Sequence, residues 1–181
     1  MSAVSQRRGD AARTAIALAL AAAVAAAALP ATDLVPEENA VKGNPPEADS
    51  AEEGARLLLE AIKADDPSIA GGFFFPAAAF DLIKAMAVPG RYHRKLVGWY
   101  EEDIRAEHAR FSDSSWRFAA FELGRCKWQE KGTEGNALPY WSCRGNRVTA
   151  QSGDRTRRFD VTVIINWGKR WYVTHLGPIR N

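Results

Sequence analysis

The sequence predicts an α+β fold, with N-terminal helices packed on one face of a curved four-stranded antiparallel meander sheet. Three observations carry that expectation. Residues 50–111 repeat apolar side chains at spacings of three and four, the period of a helix with one buried face. Residues 115–176 alternate instead and are interrupted by short glycine-containing turns, the pattern of hairpin-linked strands. Helices first and strands after are the order of a two-layer α+β domain. At 181 residues and 46% hydrophobic, the chain can build one such core and carry a leader besides.

The leader is expected over residues 1–31. Arg7, Arg8 and Arg13 precede a charge-free run of 19 residues, Thr14 to Thr32, with small residues near Pro30 and Ala31. A basic segment, an apolar segment and a small-residue cleavage site describe a secretory signal peptide cut near Ala31. The other reading is an uncleaved membrane anchor, because a run of this length just spans a bilayer. Residues 32–49 hold three prolines, several acids and few large apolar groups; such a stretch reads as a flexible linker. Residues 50–181 form the single folded domain.

Ser50 and Glu53 have the spacing of a capping box, and Ala55, Leu58, Leu59 and Ile62 then share a face. Asp66-Pro67 ends that helix. Pro76 suits the first position of the next, with Ala79, Phe80, Ile83 and Met86 on its apolar side. Phe73, Phe74 and Phe75 are expected as core anchors, with a pocket mouth as their second reading. The longest helix covers 91–111, where Tyr92, Leu96, Tyr100, Ile104, His108 and Phe111 recur helically. His108 is read as a core-edge histidine bonded to a backbone carbonyl, or as a pocket acid or base. Glu101, Glu102 and Asp103 are expected mostly in solvent.

Four strands are expected over 116–129, 138–151, 156–167 and 170–176. A two-residue Gly168-Lys169 turn pairs Trp167 with Arg170. Counting inward, Ile165 meets Tyr172, Val163 meets Thr174 and Thr162 meets His175. A Gly153-Asp154 turn pairs Val148 with Phe159 and Arg147 with Asp160. Placing Cys126 opposite Cys143 sets Trp128 against Trp141, Glu122 against Arg147 and Phe121 against Val148. Phe159, Val161, Val163, Ile165, Tyr172 and Leu176 then form the core face. Gly124 and Gly145 are candidate bulges. The other face carries a polar row of Glu122, Arg147, Asp160 and His175. That row is either a solvated cross-strand ladder, or a cavity in which Asp160 orients His175 as a general acid or base.

Several functions are unsupported. There is no G-x-S-x-G, P-loop, G-x-G-x-x-G or H-E-x-x-H. His93, His108 and His175 lack metal-ligand spacing, so no metal or cofactor is expected. The formal charge of +2 comes from residues 1–31, which hold three Arg and one Asp; the neutral remainder gives no case for nucleic acid. Acids concentrate in residues 33–66 and bases in 112–181, a split that can seat the first helix on the sheet or attract an acidic ligand. Two cysteines in an exported chain predict a Cys126–Cys143 disulfide.

Helices followed by a curled meander, closed by "RWYVTHLGPIR", resemble the NTF2-like (cystatin-like α+β cone) superfamily over residues 50–178. The resemblance implies either a small isomerase or dehydratase with an acid or Asp–His pair in the cone, or a non-catalytic binding or scaffold domain. Three functions are therefore expected, in order. The first is an exported (periplasmic or extracellular) domain binding a small-molecule ligand or envelope protein in a helix/sheet pocket, with Phe75, Tyr100 and His108 on the helical wall. The second is an isomerase or hydrolase using His175 with Asp160. The third is an inner-membrane-anchored scaffold, a homodimer through an apolar patch of Trp116, Phe118, Ile164, Trp171 and Val173.

Overall fold

The computed structural model describes residues 34–180; the expected leader lies outside them. The fold is α+β, with helices on an open antiparallel sheet. A short helix α1 (Glu37–Ala40) precedes α2 (Asp49–Ala64), whose Ala55, Leu58, Leu59 and Ile62 are fully buried. The expected capping box does not form. The helix opens two residues earlier, with Ala48 as its cap and Asp49 as its first residue, and both box residues serve the sheet instead. Ser50 Oγ accepts from Trp171 N (2.9 Å) and Glu53 pairs with Arg170 (3.0 Å). Asp65, in the left-handed region at φ 53°, stops the helix. Asp66 then caps a 3₁₀ turn, Pro67–Phe73, by accepting from Ser68 N.

Helix α3 (Ala77–Ile83) is shorter than its apolar pattern suggests, and Pro76 is its cap, not its first residue. The chain leaves the helix to pair with the loop before the third strand. Ala137 N donates to Ile83 O and Ala85 N to Gly135 O, each at 2.8 Å. Met86 is therefore 41% exposed. Helix α4 (Pro89–Phe111) starts with Pro at N1 and buries Leu96, Tyr100, Ile104 and Phe111. Asp103, expected in solvent, is buried. It accepts from Gly177 N (2.9 Å) and pairs with Arg180, tying the C-terminal tail to α4.

The sheet has five strands rather than four. The segment 116–129 divides at Leu123-Gly124 into β1 (Arg117–Glu122) and β2 (Arg125–Gln129). Both pair with β3 (Tyr140–Ser152), at opposite ends of it. β4 (Arg155–Trp167) and β5 (Arg170–His175) complete the order β1-β3-β4-β5. At the break, a Cβ on Gly124 would lie 2.0 Å from Arg144 O, so only glycine allows the two backbones so close. Buried Asn146 holds the break through Gly124 N→Oδ1 (3.0 Å) and Nδ2→Val161 O (2.9 Å), beside Gly145 at φ 72°. Cys126 and Cys143 are bonded across β2 and β3, next to the Trp128–Trp141 pair.

The expected pairs Glu122–Arg147, Phe121–Val148, Arg147–Asp160, Val148–Phe159, Ile165–Tyr172 and Trp167–Arg170 all form. Two do not. A bulge lies between Val163 and Ile164, so Ile164 meets Val173 and Val163 meets His175. Both faces of the sheet beside β5 are covered. Of the expected exposed patch, Ile164, Trp171 and Val173 here, and Trp116 before β1 at the far edge, are at most 1% exposed, and Phe118 is half-buried under the Arg56 guanidinium. The expected linker is one reason. Asn39 is fully buried, with Nδ2 on Pro139 O and Asn166 O (3.3 Å each) and Oδ1 accepting from Gly168 N (2.7 Å). Downstream, Trp171 Nε1 donates to Pro46 O and Glu47 O. Residues 34–48 are thus a docked strap held by polar contacts, which apolar patterning does not reveal. The outer edge of β5 is closed by Phe75 N→Val173 O (3.0 Å).

Candidate functional site

A cavity of about 310 Å³ opens between α3–α4 and the helix-facing side of the sheet. Its floor follows from period-two alternation. Tyr140, Ser142 and Arg144 come from β3; Val163 and Ile165, paired with Arg144 and Ser142, come from β4. His175 joins from β5, next to Val163. Without the bulge, His175 would stand on the opposite face beside Thr162. With it, Arg144, Val163 and His175 make one cross-strand row under the helices. The wall is Phe80 and Lys84 from α3 and its end, Met86, and Tyr92 and Leu96 from α4, with Ile179 of the tail at the mouth.

The polar groups divide into a bonded mouth and an unbonded floor. At the mouth Arg144 donates to Glu134 Oε1 (2.8 Å), and Tyr140 Oη donates to Glu134 Oε2 (3.3 Å). Lys84 Nζ donates to Tyr140 Oη and to Glu134 O, both at 3.3 Å. Glu134 sits at φ 51° in a short 3₁₀ turn, Thr133–Gly135, between Gly132 and Gly135, both also at positive φ. A non-glycine residue in this region is sparsely populated and held by its surroundings. Burial pushes the Lys84 ammonium below its ordinary range, partly countered by Glu134. Burial, then the nearby Glu134 carboxylate, pushes the Tyr140 phenol up; it stays a neutral donor.

On the floor, Ser142 Oγ and His175 Nε2 are buried without any hydrogen-bond partner. His175 Nδ1 lies 3.2 Å from Thr174 Oγ1. Burial lowers the His175 pKa, as do Arg144 and Lys84, against smaller opposing effects of Asp103 and Glu134. The imidazole is therefore neutral at pH 7. Two unmatched buried polar atoms, on residues that line one cavity, cost free energy unless something supplies their bonds. The site's chemistry is thus hydrogen bonding beside an apolar surface.

The other expected site residues lie elsewhere. Glu122, Arg147 and Asp160 are exposed and form a ladder, with Arg147 Nε on Asp160 Oδ1 at 3.0 Å. The bulge removes His175 from it, so the Asp160–His175 pair is not assembled. Phe75 is 1% exposed and packs edge-on against Phe80, Trp167 and Tyr172; it belongs to the core. Tyr100 is buried, its hydroxyl on Ala70 O (3.2 Å), and burial raises its pKa. His108 Nδ1 lies 2.9 Å from Ile62 O. None of these three lines the cavity. Lys84, Glu134, Tyr140, Ser142 and Arg144 were missed by sequence reasoning. The signal for two of them was available: the β3–β4 register already set Ser142 and Arg144 opposite Ile165 and Val163 on the core face.

Among the described residues no cluster of His, Cys, Asp and Glu could hold a metal ion, and no helix is long and apolar enough to cross a membrane. No family model, curated protein or solved structure matches the chain.

Proposed function

We propose that this is an exported binding domain of NTF2-like type, whose helix/sheet cavity takes a small molecule and does no chemistry on it. One observation carries the reading: Ser142 and His175, whose Oγ and Nε2 are buried and unpartnered, line the same cavity as Phe80, Leu96, Val163 and Ile165. Binding sites are typically apolar concavities with a few convergent polar groups. The volume equals the share of roughly ten liquid waters, so the ligand has on the order of ten non-hydrogen atoms. The absence of any carboxylate hydrogen-bonded to His175 among the described residues favours binding over acid–base catalysis. Export is supported by the apolar leader and the Cys126–Cys143 bond. The NTF2-like assignment rests on element order and the terminal strand.

The test is two-dimensional NMR of the folded domain against a library of small fragments, with native mass spectrometry of protein from its own envelope fraction. Binders should shift the amides of Ser142, Val163 and His175, and the mass should begin near Thr32. Binders that shift only other amides, or a library without binders, would refute the cavity reading. An intact N-terminus would refute cleavage and favour the anchor.

A further inference from the structure

We infer that the cavity's ligand is a small monoanion with an apolar body, a carboxylate whose head group is met by Lys84 Nζ, Ser142 Oγ and His175 Nε2. This rests on the cavity being a binding site and names the class of molecule it takes.

The argument is one of unmatched donors. Lys84 is the cavity's cation without a carboxylate within salt-bridge distance among the described residues; its two bonds go to a phenol oxygen and a backbone carbonyl. An ammonium has three donors, so one remains. Arg144, the other cation, is already paired with Glu134. Lys84, Arg144 and Glu134 therefore leave the cavity lining with one uncompensated positive charge. Ser142 Oγ–H has no acceptor. His175 offers Nε2–H in the tautomer whose Nδ1 accepts from Thr174 Oγ1. Three donors and one net positive charge, with no unpaired carboxylate facing them, suit a head group with several acceptor oxygens and one negative charge. The apolar body follows from Phe80, Tyr92, Leu96, Val163 and Ile165. A cationic ligand would meet Lys84 and Arg144, and a purely apolar one would leave Ser142 Oγ and His175 Nε2 unbonded.

The test uses three probes with the same body: 3-phenylpropanoate, 3-phenylpropan-1-ol and 3-phenylpropylamine, titrated calorimetrically and by NMR into the intact domain at pH 7.5. The acid is expected to bind about tenfold or more tighter than the alcohol, and the amine weakest. Lys84→Met, which keeps most of the stem, should bring the acid down to the alcohol's affinity while moving the alcohol by less than about threefold. An alcohol equal to or tighter than the acid would overturn the anion assignment and leave the cavity reading standing. No binding by any of the three would overturn both. The wild-type comparison decides the matter even if Lys84→Met does not fold.

Discussion

Val163 and His175 face each other across β4 and β5, one residue out of step with the Ile165–Tyr172 pair closer to the turn. The extra residue is Thr174, whose Oγ1 lies 3.2 Å from His175 Nδ1 and 3.5 Å from Val163 O. A bulge redirects the side chains beyond it, and here it delivers an imidazole to the row of Arg144 and Val163 under the helices.

That placement has a pH signature. The folded His175 pKa lies below its ordinary value, through burial and the facing Arg144 and Lys84, with Asp103 and Glu134 opposing. The unfolded chain therefore binds the proton more readily. The contribution to stability is fully present above the unfolded value of about 6.5 and is lost as pH falls toward the folded one. Denaturation midpoints should fall between pH 7 and pH 5, and His175→Gln should flatten that segment. An unchanged slope in the variant would show that other groups carry the dependence. Asp113, held low by Ser115 and Arg155, acts in a separate and more acidic window.

The disulfide predicts a second loss. Cys126 and Cys143 are 17 residues apart, and closing a loop of this size in the unfolded chain is worth about 3 kcal/mol. The double variant Cys126→Ser, Cys143→Ser should lose roughly 2–3 kcal/mol in urea unfolding. Equal midpoints for the variant and the wild type under oxidising conditions would contradict it.

The legible parts of this fold are those set by local periodicity and by two-residue turns. The hairpin register propagated correctly from Gly168-Lys169 to Ile165–Tyr172, and from Gly153-Asp154 to Arg147–Asp160. It failed at Thr174 because a bulge there has no local marker: Thr174 is as ordinary a strand residue as its neighbours. Ser50 and Glu53 carried a genuine helix-start pattern, but Trp171 N and Arg170 claimed both side chains. Lys84 escaped notice because its position depends on α3 ending at Ile83, which is decided by the loop around Gly135 fifty residues on. The site was hidden for the same reason; its floor needs the bulge and its mouth needs that loop.

The strap depends on Asn39, whose side chain bonds Pro139 O, Asn166 O and Gly168 N while fully buried. Asn39→Ala removes these bonds and leaves buried groups unmatched, a loss of about 1–3 kcal/mol. The local consequence is sharper than the global one. Hydrogen exchange at the Gly168 amide should accelerate, and the 41–48 segment should become cleavable by a non-specific protease. Wild-type protection at Gly168 in the variant would mean that the strap is held by other contacts.

Two glycines give opposite expectations for the same substitution. A Cβ at Gly124 would lie 2.0 Å from Arg144 O and 2.7 Å from the backbone of Gly145. Backbone at that distance has no side-chain rotation to relieve it. Gly124→Ala should therefore cost about 1–3 kcal/mol or more and pull β2 away from β3, seen as lost protection at Cys126 and Trp128. Gly98 lies inside α4, with nothing within 4 Å of the added carbon. Gly98→Ala should raise stability by about 0.5–1 kcal/mol, because alanine restricts the unfolded chain and favours the helix. Thermal unfolding of the two variants beside the wild type checks both signs at once. A tolerated Gly124→Ala would mean that the break between β1 and β2 does not require the close approach of the two backbones.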